Sequence, residues 1–223
     1  LQYIKLINIM KQNLIQTFTK KNEVKDLIDI FYQQNVEIRF VGGCIRDALL
    51  NRKISDFDFA VKSKPEEVIR VLNSYNVNFE DFSKRYGSFI VKINKEKFQL
   101  TSLREDFNQK GRDTNIRYTN SWKKDAERRD FTINALYLSP SGKLYDYFSG
   151  LEDLMNGHVK FIGDINKRIQ EDHLRVFRYF RFLGNFEELN VLQEYESVLL
   201  KHIPNLKKYI SYDEMRKEFL KMI

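Results

Sequence analysis

The sequence predicts an α+β fold in which a mixed β-sheet with flanking helices is followed by an all-α segment. Three observations predict it. Short apolar or alternating runs are confined to residues 36–147, helical periodicity precedes them at 9–31, and beyond Gly150 strand signals vanish while helical spacing continues. The 223 residues, 42% of them hydrophobic, are enough to fill a core. We divide the chain into an N-terminal helical segment (1–35), a sheet domain (36–150) and a helical segment (151–223).

Leu1 to Met10 reads as an amphipathic helix; it lacks the small-residue cleavage site of a signal peptide. The chain does not begin with Met, as expected of a trimmed sequence. Leu14, Ile15, Phe18, Val24, Leu27, Ile28 and Phe31 recur at helical spacing, predicting one or two amphipathic helices. Val36–Val41 is a short strand, Gly42-Gly43 a turn, and Cys44 to about Leu50 a helix. Asp56 to Val61 alternates polar and apolar like a strand. A helix starts near Pro65, with Glu66 and Glu67 where the helix dipole favours negative charge. Ser88–Ile93 and Lys97–Thr101 predict a hairpin across Asn94-Lys95-Glu96. Leu103 to Trp122 is polar, contains Gly111 and has no clear period, so a mobile loop is expected. Ala135–Leu138 and Lys143–Tyr147 form a second hairpin. In the last segment Leu174, Phe177 and Phe180 mark one helical face, and Met215, Phe219 and Met222 another.

Composition narrows the function classes. The net charge of +7 and a pI near 9.3 favour a polyanionic partner. A single cysteine excludes an internal disulfide and a multi-thiolate zinc site, and fits a reducing compartment, the cytoplasm or an organelle; among apolar neighbours, Cys44 reads as packing. No run of about 18 apolar residues exists, so no membrane helix is expected. Nothing in the sequence specifies an oligomeric state.

Three clusters carry chemistry. In the first, Gly42 and Gly43 lack Cβ atoms, so a triphosphate can approach the backbone at a helix start. Asp56 and Asp58, two apart on a strand, face one side as a pair of hard oxygen ligands suited to Mg²⁺. Two such ions about 4 Å apart are a common solution for in-line phosphoryl transfer. Arg46 and Asp47, one turn inside the helix, reach the phosphates or brace the turn. Alone, the Asp pair is solvated surface and the Gly pair a turn; their succession in this order points to the chemistry.

The second cluster is Arg128-Arg129-Asp130-Phe131-Thr132-Ile133-Asn134. Arginine clamps phosphate in a bidentate fork, and Asp130 and Asn134 suit ribose hydroxyls; a charged strand entry is the alternative. The third is Glu171-Asp172-x-x-Arg175-x-x-Arg178-x-x-Arg181. Steps of three turn about 300° each, so on one continuous helix Asp172, Arg175 and Arg178 sweep one side while Arg181 drifts nearly opposite. A carboxylate beside a guanidinium can meet the Watson–Crick edge of a base; an ordinary helical ion pair is the alternative.

In these three ordered motifs, over about residues 36–183, the chain resembles the family of class II tRNA nucleotidyltransferases (CCA-adding enzymes) and bacterial poly(A) polymerases, within the DNA polymerase β-like nucleotidyltransferase superfamily. The resemblance implies a nucleotidyltransferase head followed by a helical neck. It implies that Asp56 and Asp58 bind two Mg²⁺ ions, that Gly43, Arg46 and Arg129 contact the incoming triphosphate, and that Arg129, Asp130 and Asn134 help select a ribonucleotide. Asp172 and Arg175 would serve as a protein template reading CTP and then ATP, with Arg178 and Arg181 contributing to nucleotide binding. The segment around Asp164 and Arg168 resembles the springlike motif between head and neck. The implied reaction is CCA addition to tRNA from CTP and ATP without a nucleic-acid template.

An A-adding or CC-adding enzyme and a poly(A) polymerase share every motif quoted, and the loop at 103–122 stands where the family's flexible loop influences the switch to ATP. From another class, the rival is a catalytically silent RNA-binding subunit. The chain departs from the family at Gln99, where Glu is common, which predicts weaker metal affinity, and around Glu214, where the neck motif usually carries Glu-Arg. The family's helical body and tail, which hold the tRNA acceptor arm, have no counterpart before Ile223, the expectation for a fragment or an unusually short enzyme.

Overall fold

The computed structural model describes residues 14–83, 86–110, 113–186 and 190–222. The helix expected at Leu1–Met10, and Gly111, lie outside these. Residues 14–18 are helical, and after a break α1 spans Asn22–Gln33. Leu14, Phe18, Val24, Leu27, Ile28 and Phe31 are all buried, as their spacing requires.

Seven strands then build one sheet in the order β3-β4-β5-β2-β1-β8-β9. They are β1 (Ile38–Val41), β2 (Asp58–Val61), β3 (Asn78–Ser83), β4 (Ser88–Ile93), β5 (Glu96–Ser102), β8 (Leu136–Leu138) and β9 (Leu144–Asp146). Every pairing is antiparallel except β2 with β5, which sets Asp58 opposite Gln99. Helix α2 (Gly43–Leu49) follows β1, and α3 (Pro65–Ser74) begins with its proline in the first turn, where the missing N–H costs nothing.

Four sequence expectations need correction. Strand β2 starts at Asp58, two residues later than expected, so Asp56 precedes the strand. Strand β3 went unrecognised because its residues, Asn-Phe-Glu-Asp-Phe-Ser, form a mainly polar edge paired only with β4. The expected loop at 103–122 is instead a separate two-stranded hairpin, β6 (Arg104–Lys110) and β7 (Asp113–Tyr118), leading into helix α4 (Trp122–Glu127). The hairpin has no continuous apolar face, hence no period-two hydrophobic signal; Ser121 caps α4 by accepting from Lys124 N–H.

The fourth correction concerns the helical segment. It comprises α5 (Gly150–Met155), α6 (Ile165–Glu171), α7 (Leu174–Leu183), α8 (Gln193–His202), α9 (Leu206–Tyr209) and α10 (Tyr212–Phe219). Helix α7 buries Val176, Tyr179 and Leu183, while Phe180 is exposed. Helix α10 turns Glu218 inward and leaves Phe219 exposed.

One apolar cluster runs from Leu14 to Ile210 and crosses from sheet to helices. Its seam is aromatic: Phe161 lies 4.8 Å from Phe131 and stacks on Tyr179 at 5.8 Å between ring centroids. Arg168 on α6 donates to the carbonyls of Arg128 and Arg129, fastening the helices to the sheet domain at the segment likened to a spring.

Candidate active site

The sequence places Gly42 between β1 and α2, and the structure shows why it is glycine. Its φ of +77° lies in the left-handed region, and a Cβ there would sit 3.3 Å from Arg129 Nη1. A guanidinium is thereby packed against bare backbone, beside the start of α2.

Around this point lies a cleft of about 640 Å³, within the usual range of about 300–1,000 Å³ for small-molecule sites. Seven arginines line it (Arg46, Arg104, Arg128, Arg129, Arg175, Arg178 and Arg181) against four carboxylates (Asp58, Asp130, Asp172 and Glu218). The excess of positive charge in a partly buried site favours a polyanion. Gly42, Gly43 and Asn134 complete the set of predicted residues that converge here.

Arg181 lines the same cleft as Arg175 and Arg178, a correction to the expected drift. The helix breaks at Asp172, which is extended (φ −153°, ψ 104°), and α7 restarts at Leu174. Counted from Arg175, the three arginines sweep only about 120°. Asp172 accepts from the Leu174 N–H at 3.0 Å, so it sits at the entry of α7.

Six of the seven arginines donate hydrogen bonds yet keep spare donors, since a guanidinium offers five N–H groups, while Arg181 is held by an ion pair without hydrogen-bond geometry. Arg46 pairs with Asp47 at 2.8 Å and donates to Asn134 Oδ1 at 2.5 Å. Asn134 donates to Asp130 at 3.1 Å, and Asp130 binds Arg178 at 2.5 Å. This chain joins the helix after β1, the second motif and α7 into one network. Burial works to raise the Asp130 carboxyl, but Arg178 and the Asn134 amide hold it below the usual carboxylate range. Arg175 pairs with Glu171 at 2.7 Å and donates to the Arg168 carbonyl, and Arg181 lies 3.2 Å from Glu218.

Asp58 is half-buried, and its carboxyl is pushed up to about 6, chiefly by burial, with Arg129 opposing and Asp56 adding. Asp56 is exposed and is not among the lining residues, but its charge reaches Asp58. Two hard carboxylates that repel one another fit a divalent cation, whose charge would relieve the repulsion. No group of three or more potential ligands occurs among the described residues; two carboxylates plus substrate phosphates are a common arrangement for Mg²⁺. Gln99, opposite Asp58 in the parallel pair, is exposed and adds no charge. Cys44 is packing, as expected: burial pushes its thiol up to about 12.

Sequence reasoning missed Arg104, Asp125 and Glu218. Arg104 lies in the stretch expected to be a loop, and Asp125 falls between that stretch and the motif beginning at Arg128. Glu218 stands three residues beyond the apolar Met215, on the same helical face, and that spacing was its signal in the sequence.

Fold and cleft together define a mixed-sheet head with an arginine-lined anion site beside an acidic strand end, backed by helices. Its residues 38–160, more than half of the chain, match the family model described as the Poly A polymerase head domain. The chain belongs to that family. It is 38% identical over 184 residues to human CCA tRNA nucleotidyltransferase 1, mitochondrial, covering 82% of this chain and 42% of the relative. It is 32% identical over 210 residues to the CCA-adding enzyme of Enterococcus faecalis, covering 92% and 50%. The Bacillus stearothermophilus CCA-adding enzyme in complex with CTP superposes with a TM-score of 0.78 at 28% identity, over 90% of this chain and 48% of that one. A tRNA nucleotidyltransferase complexed with a primer tRNA and an incoming ATP analog superposes at 0.67 and 28% identity, over 87% and 57%. The chain thus spans about half the length, or less, of the curated relatives it matches. Among the described residues no helix is long and apolar enough to cross a membrane.

Proposed function

We propose that this chain is the catalytic part of a tRNA nucleotidyltransferase that adds CCA to the tRNA 3′ end from CTP and ATP. The observation that carries the reading is the convergence of Gly42, seven arginines and Asp58 on one cleft. The names of the relatives and superposed structures, CCA-adding enzymes and complexes with CTP, tRNA and an ATP analog, support it.

In the proposed reaction the 3′-hydroxyl oxygen of the RNA attacks the α-phosphorus of the nucleotide. A new P–O bond forms, the α–β bond breaks, pyrophosphate leaves and the hydroxyl proton is released. Asp56 and Asp58 hold Mg²⁺, which supplies charge neutralisation at the phosphates. Arg129, beside Gly42, and Arg46, beside Gly43, bind the triphosphate. Asp130 and Asn134 hold the network that presents Arg46 and Arg178 beside the ribose, with their remaining acceptor and donor sites facing it. Asp172 and Arg175 meet the base edge, and Arg178 and Arg181 add donors along the same wall. The reaction belongs to a cytoplasm or an organelle; relatives named as mitochondrial and bacterial CCA-adding enzymes support both settings.

The test is to incubate the chain with Mg²⁺ and tRNAs ending before CCA, in C or in CC, with CTP and ATP separately and together. Products are read at single-nucleotide resolution. Stopping after CCA supports the reading. Stopping at CC, or adding only the final A, makes it a partial enzyme, and a long A tail makes it a poly(A) polymerase. Binding of RNA with no addition favours a silent RNA-binding subunit.

A further inference from the structure

Behind the arginines of the second motif lies Asp125 on α4, a carboxylate that the site as described does not use. It is 1% exposed and is surrounded by donors. Arg128 Nε donates to it at 2.9 Å, Arg129 Nη2 at 3.3 Å and the Tyr137 hydroxyl at 2.6 Å, while the Arg104 backbone N–H reaches it at 3.2 Å. Tyr137 in turn accepts from Arg129 Nε at 3.2 Å, closing a ring of contacts. Arg104, Arg128 and Arg129 all line the cleft, whereas Asp125 and Tyr137 do not. Arg129 is therefore held from behind, while its Nη1 packs against Gly42 and its charge acts on Asp58.

A buried carboxylate with this many donors is costly unless fully paired, and paired it fixes its partners' geometry. Left without it, two adjacent guanidiniums would repel each other and lose their shared anchor. We propose that Asp125 is a positioning residue: it sets the orientation of Arg128 and Arg129 toward the cleft, and through them the affinity for the phosphate chain of the nucleotide. It touches no substrate itself. The contact to Arg104 N–H places the root of the β6–β7 hairpin on the same anchor.

The inference rests on the reading of the cleft as a triphosphate site, and the experiment separates the two. Equilibrium binding of CTP and of inorganic tripolyphosphate, both with Mg²⁺, is measured for wild type, Asp125→Asn, Tyr137→Phe, Arg129→Ala and each double variant with Arg129→Ala. Thermal unfolding is followed alongside. Asp125→Asn is expected to weaken both ligands by about tenfold, the scale of one charge-assisted hydrogen bond, and Tyr137→Phe by about threefold. Both effects should be smaller once Arg129 is already Ala, because they act largely through it; what remains of the Asp125→Asn effect is the part carried by Arg128. A merely structural role would lower the unfolding temperature, leave the affinity of the folded protein unchanged, and overturn the inference; full additivity with Arg129→Ala would do the same. Should Asp125→Asn not fold, Tyr137→Phe, which removes one hydroxyl from a ring that stays packed, decides the matter. A wild-type chain that binds neither ligand overturns the cleft reading and this inference together. A wild type that binds while Asp125→Asn and Tyr137→Phe match it overturns the inference alone.

Discussion

Asp56 and Asp58 illustrate how one spacing can give two environments. Asp58 opens β2 and is half-buried, whereas Asp56 precedes the strand and is exposed. If both hold Mg²⁺, Asp56→Ala or Asp58→Ala should lower nucleotide incorporation by at least about a hundredfold, the scale of a lost transition-state contact, with the unfolding curve little changed. Full activity in the double variant would remove the metal assignment. Arg175 is buried, with Glu171 and the Arg168 carbonyl holding one of its nitrogens. Arg175→Ala should blur the choice between CTP and ATP more than it weakens tripolyphosphate binding, checked by competition between the two nucleotides. Asp125 gives a pH signature. Burial works to raise its carboxyl, but Arg128, Arg129 and then Tyr137 hold it at about 2, below the ordinary 3.8. Its contribution, about 2 kcal/mol, is thus fully present above pH ~4 and is lost as pH falls through ~2. Urea midpoints at stepped pH should show the advantage of wild type over Asp125→Asn vanishing across that window; a constant gap would refute the linkage.

At the scale of elements, helix starts and turns were legible because they are local chemistry. Pro65 with Glu66 and Glu67 opens its helix as read, and the hairpin of β4 and β5 forms where expected, except that Glu96 already pairs with Ile93, leaving a two-residue turn at Asn94, whose φ is +52°, and Lys95. The hairpin β6–β7 and helix α4 were not legible. A hairpin without a continuous apolar face carries no alternation, and six residues are too few for a helical period. The one signal was Ser121 as an N-cap, and Ser121→Ala should cost about 1 kcal/mol in unfolding free energy. Gly150 marks another element junction, since a Cβ there would lie 2.2 Å from the Thr132 carbonyl oxygen. Backbone would have to move to accept it, and α5 packs directly on the second motif.

On the scale of the whole molecule, the sheet and the helices share one core, and the site spans both. Phe161 joins them through contacts with Phe131, Tyr179 and Tyr195. Phe161→Ala should destabilise the chain by about 3–5 kcal/mol. Because the core is continuous, sheet and helices should still melt in a single transition; two separated transitions in differential scanning calorimetry would show them to be independent units.

By itself the sequence determined the glycine pair, the carboxylate pair, the arginine motifs and the order of most strands and helices, because these depend on neighbours within a few positions. It did not determine that Arg181 shares a wall with Arg175, or that Asp125 and Glu218 stand behind the arginines. Asp125 meets Arg128 and Arg129 only three and four residues away, but the other partners are brought together across long stretches of chain: Arg46 meets Asn134, Asp130 meets Arg178, and Arg181 meets Glu218. Only the packing of α2, α7 and α10 around the sheet end excludes enough water for such pairs to hold fixed geometry, which is why tertiary structure decided the cleft.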